Sequence, residues 1–256
     1  MNKKAVVTGG EGFIGTHLIQ ALRDEGYEAV SVDTKSGGDI RDTQKLAEIF
    51  KGATYVFHTA ALPRVQYSIE HPQETSDANI EGTLSVLVAA RDAGVARVVY
   101  SASSSAYGDQ KIMPLVEDMP PQPISPYALQ KHVGELYCRL FAEVYNLSTV
   151  NLRYFNVYGP GADPNGAYAL AIAKFLKQRM DNQPITITGD GTQTRDFTHV
   201  RDVVRANMLA ATSDTVGKGE VINIGAGRAV SMNEIAALIG GPVEHIEPRL
   251  EPHDTL

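Results

Sequence analysis

Hydrophobic residues recur along the chain in two alternating patterns, short continuous runs and longer stretches with helical spacing. Residues 4–8 form the first run, and residues 13–25 then carry apolar side chains at helical intervals, ending before Gly26. Further strands are predicted over residues 28–33, 55–58, 97–101 and 148–154, with helices between them. Because strands separated by helices of this length pair in parallel, the pattern predicts an α/β fold with a doubly wound parallel sheet.

The pattern changes after Tyr158, where the turn-rich stretch 159–166 predicts that the chain leaves the sheet. Residues 200–212 and 221–224 predict a helix and a strand that rejoin it, and the tail from Gly240 is predicted to be loop. We therefore expect a main domain and a small C-terminal lobe that is short at its end. The main domain is assigned to residues 1–157 and 194–224, and the lobe to residues 158–193 and 225–256.

The composition narrows the class of protein. The chain has 256 residues and a formal net charge of −7, which disfavours nucleic acid as a partner because clustered lysine and arginine bind phosphate backbones. No apolar run approaches the ~20 residues of a membrane span, so a membrane is not expected as a partner either. The single cysteine, Cys138, excludes an intramolecular disulfide and is typical of a reducing cytoplasm. These features predict a cytoplasmic enzyme or binding protein.

Three glycines, Gly9, Gly12 and Gly15, stand between the first predicted strand and the first predicted helix. This spacing allows a tight turn, a close approach of the backbone to a pyrophosphate and close helix–strand packing. Asp33 follows at the end of the second strand, near the ~20-residue separation expected for an acid that binds the adenosine ribose. The motif predicts a Rossmann domain that binds NAD, because a carboxylate would repel the 2′-phosphate of NADP. Lys35 is the one feature that weakens this choice.

The chain contains two Tyr-x-x-x-Lys spacings. The first, Tyr107 to Lys111, contains Gly-Asp and is predicted to be a turn, where the two side chains need not face each other. The second, Tyr127 to Lys131, follows a Ser-Pro pair that is typical of the first turn of a helix. Because i and i+4 lie on one helix face, Lys131 can approach Tyr127 and lower its pKa from about 10. Tyr127 is therefore a candidate base near neutral pH.

The glycine spacing and the Tyr127–Lys131 pair resemble the extended short-chain dehydrogenase/reductase family, in particular its NAD-dependent epimerases and dehydratases. Segments 38–42, 58–61, 153–160 and 191–203 are also similar to that family. The resemblance implies NAD as the cofactor, no metal, and catalytic roles for Ser103, Tyr127 and Lys131. It implies cofactor contacts at Gly9, Gly12, Phe13, Ile14, Gly15, Asp33, Asp39, Ile40, Thr59, Ala60, Ala61, Asn79, Ser101, Tyr127, Lys131 and Tyr154. It implies substrate contacts at Ser103, Ser104, Tyr127, Asn156, Arg195 and Arg249, with the arginines clamping a diphosphate.

The residues after Ser103 separate activities within this family. Sugar-nucleotide 4,6-dehydratases carry an Asp-Glu pair where this chain has Ser104 and Ser105, and uronate decarboxylases keep the Glu. The resemblance therefore implies NAD-dependent 4-epimerisation of a UDP-hexose, either UDP-glucose/UDP-galactose or an N-acetyl or uronic analogue, through a 4-keto intermediate. Two alternatives stay open: another sugar-nucleotide oxidoreductase, such as a 4-keto reductase, and a non-catalytic NAD-binding scaffold.

Members of this family commonly dimerise through two helices, here residues 77–93 and 127–145, so a homodimer is expected. The second of these helices carries an apolar stripe, which a buried core face explains equally well. The stripe consists of Leu129, Val133, Leu136, Leu140 and Val144.

Two residues depart from the family's pattern. Glu11 places a carboxylate in the glycine loop, close to phosphates unless it points outward. Thr188 stands where the family often has an aromatic residue against the uracil ring, which leaves the identity of the base open.

Overall fold

Strands and helices alternate along most of the chain. A computed structural model describes residues 3–165, 170–248 and 254–255. The strands are β1 (Lys4–Thr8), β2 (Glu28–Val32), β3 (Ala53–His58), β4 (Arg97–Ser103), β5 (Thr149–Tyr154), β6 (Asn156–Tyr158), β7 (Ile185–Thr188), β8 (Thr194–His199), β9 (Lys218–Ile224), β10 (Ala229–Ser231), β11 (Val243–Ile246) and β12 (Asp254–Thr255). The α-helices are α1 (Phe13–Asp24), α2 (Thr43–Phe50), α3 (Val65–Glu70), α4 (Pro72–Ser76), α5 (Gly82–Asp92), α6 (Pro126–Tyr145), α7 (Ala171–Met180), α8 (Val200–Thr212) and α9 (Met232–Ile239).

Six strands form a parallel sheet in the order β2-β1-β3-β4-β5-β9. Helices cover both faces, α2, α5 and α6 on one side and α1 and α8 on the other. Successive residues of β1 therefore face opposite layers, with Val6 under the first and Ala5 and Val7 under the second. Burial on both faces explains why these strands are continuous apolar runs. The predicted doubly wound α/β fold is confirmed.

The remaining strands form smaller sheets beside the carboxyl ends of the main sheet. β8 pairs with β6, β10 and β12, and β7 pairs in parallel with β11. The prediction that the tail from Gly240 is loop is wrong at β11. This edge strand carries the exposed residues Glu244 and His245 and therefore lacks the apolar pattern by which strands are recognised.

The chain crosses from the smaller sheets back to the main sheet after residue 199. β8 lies in a smaller sheet, whereas the predicted helix α8 and the predicted strand β9 rejoin the main sheet. The division of the chain into two domains stays a prediction. Within the described part of the chain, no helix combines the length and hydropathy that a membrane crossing needs.

Candidate active site

The carboxyl ends of the main sheet open onto a cleft of about 910 Å³. Its opposite wall comes from α7 and from the smaller sheets, through residues such as Phe175, Thr186, Thr188 and Arg195. In an open parallel sheet, ligands bind at this edge, because helix N-termini and loops converge there. The topology therefore brings residues from the first half of the chain against residues from the second half.

The glycine loop forms one end of the cleft and fits a dinucleotide. A side chain at Gly9, which has φ +71°, would place its Cβ 2.7 Å from the backbone nitrogen of Ala60. A Cβ at Gly15 would collide with the carbonyl oxygen of Gly9. Helix α1 begins after Gly12, which supplies no side-chain cap, so its first N–H groups can bind a pyrophosphate. Phe13 and Ile14, in its first turn, line the cleft, and their contact with the cofactor stays a prediction.

Asp33 faces the same end of the cleft and is held by two backbone hydrogen bonds. Its Oδ1 accepts from the N–H of Lys35, and its Oδ2 accepts from the N–H of Glu11, both at 3.0 Å. The Lys35 ammonium, the feature that weakened the choice of NAD, donates to the carbonyl oxygen of Glu11 at 2.9 Å. Glu11 itself is not among the residues that line the cleft. The carboxylate of Asp33 is thus the charged group presented to a ribose.

Asp39 and Ile40 also line the cleft, as expected for residues near an adenine. The two carboxylate oxygens of Asp39 accept from the guanidinium of Arg41 at 2.7–3.1 Å. This hydrogen bonding is the main reason that the pKa of Asp39 is lowered, so the carboxylate stays ionised and available as an acceptor. Thr59, Ala60 and Ala61, after β3, complete this part of the wall.

Tyr127 stands in the first turn of α6, opposite the end of β4. The helix begins with the Oγ of Ser125 accepting from the N–H of Ala128 at 3.2 Å and with Pro126 in its first turn. The N–H of Tyr127 donates to the Oγ of Ser68 at 3.0 Å, which ties α6 to α3. The side chain of Ser103 lies close enough to the hydroxyl of Tyr127 to lower the pKa of that phenol.

Lys131 lies one turn further along α6 and is 3% exposed. Its Nζ donates to the carbonyl oxygen of Ser101 at 2.8 Å and lies 4.9 Å from the centre of the Tyr100 ring. Burial lowers the pKa of Lys131 to about 8. Lys131 is therefore held beneath the cleft wall by β4.

The expectation that Lys131 lowers the pKa of Tyr127 is wrong for the protein alone. Burial raises the pKa of Tyr127 to about 12, and the opposing influences come from the nearby Ser103 side chain and the positive charge of Arg64. Burial has the larger effect although Tyr127 is only partly buried on the cleft wall, because the ammonium of Lys131 points at Ser101 and not at the phenol. Tyr127 accordingly keeps its proton at neutral pH in this state.

Three residues predicted to contact the cofactor do not line the cleft, namely Lys131, Asn79 and Ser101. The Nδ2 of Asn79 donates to Gln130 at 2.8 Å and its Oδ1 accepts from the N–H of Leu62 at 2.8 Å, so the side chain braces the loop after β3. The Oγ of Ser101 donates to the hydroxyl of Tyr154 at 3.1 Å. Packing between elements decides these contacts, and the local sequence does not encode it. Tyr154 itself lines the cleft.

The predicted substrate residues Ser103, Ser104, Asn156 and Arg195 line the other end of the cleft. Arg195 is 7% exposed, and its Nη1 donates to the carbonyl oxygen of Thr194 at 2.8 Å. Arg249 lies outside the described residues.

Sequence reasoning missed several residues of the wall, above all Arg64. It precedes α3, lines the cleft and is close enough to Tyr127 for its charge to lower that pKa. Its place, shortly after the segment that lines the cofactor at the end of β3, is a signal that could have indicated it. Thr186 and Gln193 also line the cleft, and they come from segments with no recognisable nucleotide motif.

His58 belongs to no candidate metal site, because no three His, Cys, Asp or Glu side chains come together among the described residues. It is buried between the hydroxyls of Thr8 at 2.7 Å and Thr83 at 2.9 Å. The Thr83 hydroxyl donates to the carbonyl of Asn79, so it accepts from the Nε2–H of His58. Burial lowers the pKa of His58 to about 3, so the ring is neutral and structural.

The parallel sheet, the glycine loop and the Ser–Tyr–Lys set define an enzyme of the short-chain dehydrogenase/reductase type. Residues 5–225 match the NAD dependent epimerase/dehydratase family, so the chain belongs to that family and uses NAD as its cofactor. It is 36% identical over 273 residues to the UDP-glucose 4-epimerase of Mycolicibacterium smegmatis, covering 97% of this chain and 86% of that protein. It is 34% identical over 262 residues to the UDP-glucuronate 4-epimerase of Thermodesulfobacterium geofontis, covering 91% and 79%. The crystal structure of Thermotoga maritima UDP-glucose 4-epimerase with UDP-glucose has 35% identity and a TM-score of 0.93, covering 99% of this chain and 89% of that chain.

Proposed function

We propose that this enzyme inverts C4 of a UDP-hexose through a 4-keto sugar. The observation that carries the proposal is that Tyr127 and Ser103 line the same cleft, close enough for Ser103 to lower the pKa of the Tyr127 phenol. Ser104 and Ser105 follow on the cleft wall, so no carboxylate stands at the two positions that serve elimination or decarboxylation in related enzymes. Epimerisation needs reversible oxidation of C4 and a group that takes and returns one proton, and it needs no further acid.

We propose that the phenol oxygen of Tyr127 takes up the proton of the C4 hydroxyl and later returns it. Bound NAD supplies the redox chemistry, because its nicotinamide can take up a hydride and give it back. Ser103 and Arg64 both favour the ionised form of Tyr127, so they offset part of the effect of burial on its pKa. Lys131 holds α6 against β4 through Ser101, which fixes the place of Tyr127 relative to the sheet.

The far end of the cleft is assigned to the UDP group. Arg195 and Asn156 stand on the wall opposite the glycine loop, and a guanidinium suits the paired oxygens of a diphosphate. Thr188 and Gln193 lie beside them, and the side chain of Gln193 donates to the carbonyl of Thr188 at 2.8 Å. A UDP-glucose 4-epimerase and a UDP-glucuronate 4-epimerase are similar to this chain at nearly the same sequence identity, 36% and 34%. Experiment is therefore needed to identify the sugar.

A homodimer through α6 is part of the proposal. Four residues of the apolar stripe are about half exposed, so a core face does not account for them. They are Leu129 at 50%, Leu136 at 53%, Leu140 at 46% and Val144 at 58%. An apolar helix face of this length supports a helix-to-helix contact between two copies of the chain. A cytoplasmic location stays a prediction.

The test is to incubate the purified protein with NAD and, separately, UDP-galactose, UDP-N-acetylgalactosamine or UDP-galacturonate, and to follow the 4-epimer by chromatography. We expect one or more of these sugars to be converted, and Tyr127→Phe to abolish conversion. Tyr145→Phe, which makes the same change at an exposed position of α6, is the matched control. Bound NAD without any epimer would support the scaffold alternative, and stoichiometric consumption of reduced cofactor would support the reductase.

A further inference from the structure

Ser105 makes two hydrogen bonds to the hydroxyl oxygen of Ser103. Its Oγ–H donates to the Oγ of Ser103 at 2.8 Å, and its backbone N–H donates to the same oxygen at 3.2 Å. The backbone bond is an ordinary feature of a serine at the start of a helical turn, here residues 104–107. The hydroxyl bond is additional, since the side chain of Ser105 lines the open cleft and is directed at Ser103.

A serine hydroxyl has one proton to donate and two lone pairs that accept. Both lone pairs of Ser103 are used by Ser105, so its proton is left for an acceptor in the cleft. That acceptor is the phenol oxygen of Tyr127 or an oxygen of the bound sugar. We propose that Ser105 is a positioning residue that fixes Ser103 as a hydrogen-bond donor, an inference that rests on the proposed epimerase reaction.

The direction of this hydrogen bond matters for Tyr127. A donor to the phenol oxygen stabilises the phenolate, whereas an acceptor of the phenol proton stabilises the neutral form. Without the Ser105 hydroxyl, one lone pair of Ser103 is released and can accept the proton of Tyr127. Ser103 would then oppose the proton transfer that it assists in the intact site.

The other charged or titratable groups near Tyr127 keep their places in such a variant. They are Arg64 from the turn before α3, Tyr100 from β4 and Lys131 from α6. The side-chain hydrogen bonds of Tyr100 and Lys131 go to the carbonyl oxygens of Lys131 and Ser101, respectively, and do not involve Ser105. A change in the titration of Tyr127 on removing the Ser105 hydroxyl is therefore attributable to Ser103.

Backbone hydrogen bonds hold the turn that carries Ser105 in place, so its hydroxyl stays directed at Ser103. The carbonyl of Ser105 accepts from the N–H of Gly108 at 3.1 Å, and the carbonyl of Ala106 accepts from the N–H of Gln122 at 3.0 Å. Gly108 has φ +68°, and a Cβ there would collide with the carbonyl oxygen of Gln122. The backbone of residues 104–108 is thus clamped to the loop before α6, independently of the Ser105 side chain.

The experiment compares wild type, Ser105→Ala and Ser105→Thr. The threonine keeps a hydroxyl at the same place, so it is the conservative control. The first readout is kcat, KM and the pH profile of kcat with the UDP-sugar that wild type converts. We expect Ser105→Ala to lower kcat about tenfold with little change in KM. Loss of a whole hydrogen-bond donor lowers kcat by a factor of roughly 10²–10³, and here the donor is misdirected but still present. We also expect the acid limb of the pH profile of kcat to move to higher pH in Ser105→Ala and to return to the wild-type position in Ser105→Thr.

The second readout needs no turnover. Ultraviolet titration of tyrosinate, taken as the difference between each protein and its Tyr127→Phe derivative, reports the ionisation of Tyr127 directly. We expect Tyr127 to ionise at higher pH in Ser105→Ala than in wild type or Ser105→Thr. An unchanged titration overturns the proposal, and so does a rise in KM at constant kcat, which would make Ser105 a substrate contact. Failure of wild type to convert any UDP-sugar overturns the proposed function instead, and the titration still decides the role of Ser105.

Discussion

Glu135 and Arg153 form a buried ion pair that joins the helix of Tyr127 to the main sheet. The Nε and Nη2 atoms of Arg153, on β5, donate to the two carboxylate oxygens of Glu135, on α6, at 2.8 Å each. Both side chains are 3% exposed. His132 donates a third contact to Glu135 at 3.0 Å, and the guanidinium lies 4.4 Å from the centre of the Tyr107 ring. We predict that removing either partner alone destabilises the protein strongly.

The size of the loss differs between the two partners. Breaking a buried pair costs about 3–5 kcal/mol, because one charge is left without compensation. Glu135→Leu leaves a guanidinium that cannot lose its proton, so we expect it near the upper end. Arg153→Met leaves a carboxylate that can take up a proton, so we expect it near the lower end. For a chain of this size these losses lower Tm by about 10 °C.

The double variant Glu135→Leu/Arg153→Met tests the origin of the loss. With both charges gone the burial penalty disappears, so we expect it to be more stable than either single variant by at least about 2 kcal/mol. Urea denaturation at neutral pH gives the free energies of unfolding, and calorimetry gives Tm. Additive losses in the double variant, or single losses below about 1 kcal/mol, would refute the reasoning. In the native protein burial raises the pKa of Glu135, but the hydrogen bonds from Arg153 and His132 outweigh it and lower the pKa overall.

Four further changes test other parts of the structure. Arg97→Met removes five side-chain hydrogen bonds, four of them to carbonyl groups at and beyond the end of α8, and is expected to cost about 2–3 kcal/mol by urea denaturation. The pKa of His58 is lowered from 6.5 to about 3, so its contribution to stability is fully present above pH 6.5. On acidification from pH 6.5 towards pH 3 the free energy of unfolding should fall by about 1.4 kcal/mol per pH unit. His58→Asn should lack this dependence on pH in parallel thermal melts. Gly9→Ala should weaken NAD binding at least tenfold in calorimetric titration, whereas Gly37→Ala, which also has positive φ but no atom within 4 Å of its Cβ, should retain it. Leu136→Glu should convert the proposed dimer to a monomer in sedimentation, and an unchanged mass would contradict the α6 contact.

The main sheet and the glycine loop were predictable because their rules are local. At each glycine of the loop, a close backbone contact leaves little room for a Cβ, as the collisions at Gly9 and Gly15 illustrate. The contacting backbone belongs to the same strand–turn–helix unit or to the end of the neighbouring strand. The strands of the main sheet are buried on both faces, which makes them continuous apolar runs. β11 escaped prediction because an exposed edge strand has neither feature.

The contacts that complete the site were not predictable, because they join distant parts of the chain. The bond from Tyr127 to Ser68 spans 59 residues, and the bond from Asn79 to Gln130 spans 51. The sequence of α3 contains no motif that indicates its docking on α6. Arg64 directly precedes α3, and its influence on Tyr127 depends on how close the folded chain brings the two residues.

The pKa of Tyr127 depends on burial more than on the spacing from Lys131. A helical i, i+4 spacing places two side chains on one face, but a charge lowers a neighbour's pKa only if it is directed at that neighbour. Lys131 is directed at Ser101, and burial of the phenol then decides the outcome, raising the pKa from 10.0 to about 12. We expect a ligand that brings positive charge into the cleft to oppose this effect of burial and to lower the pKa of Tyr127.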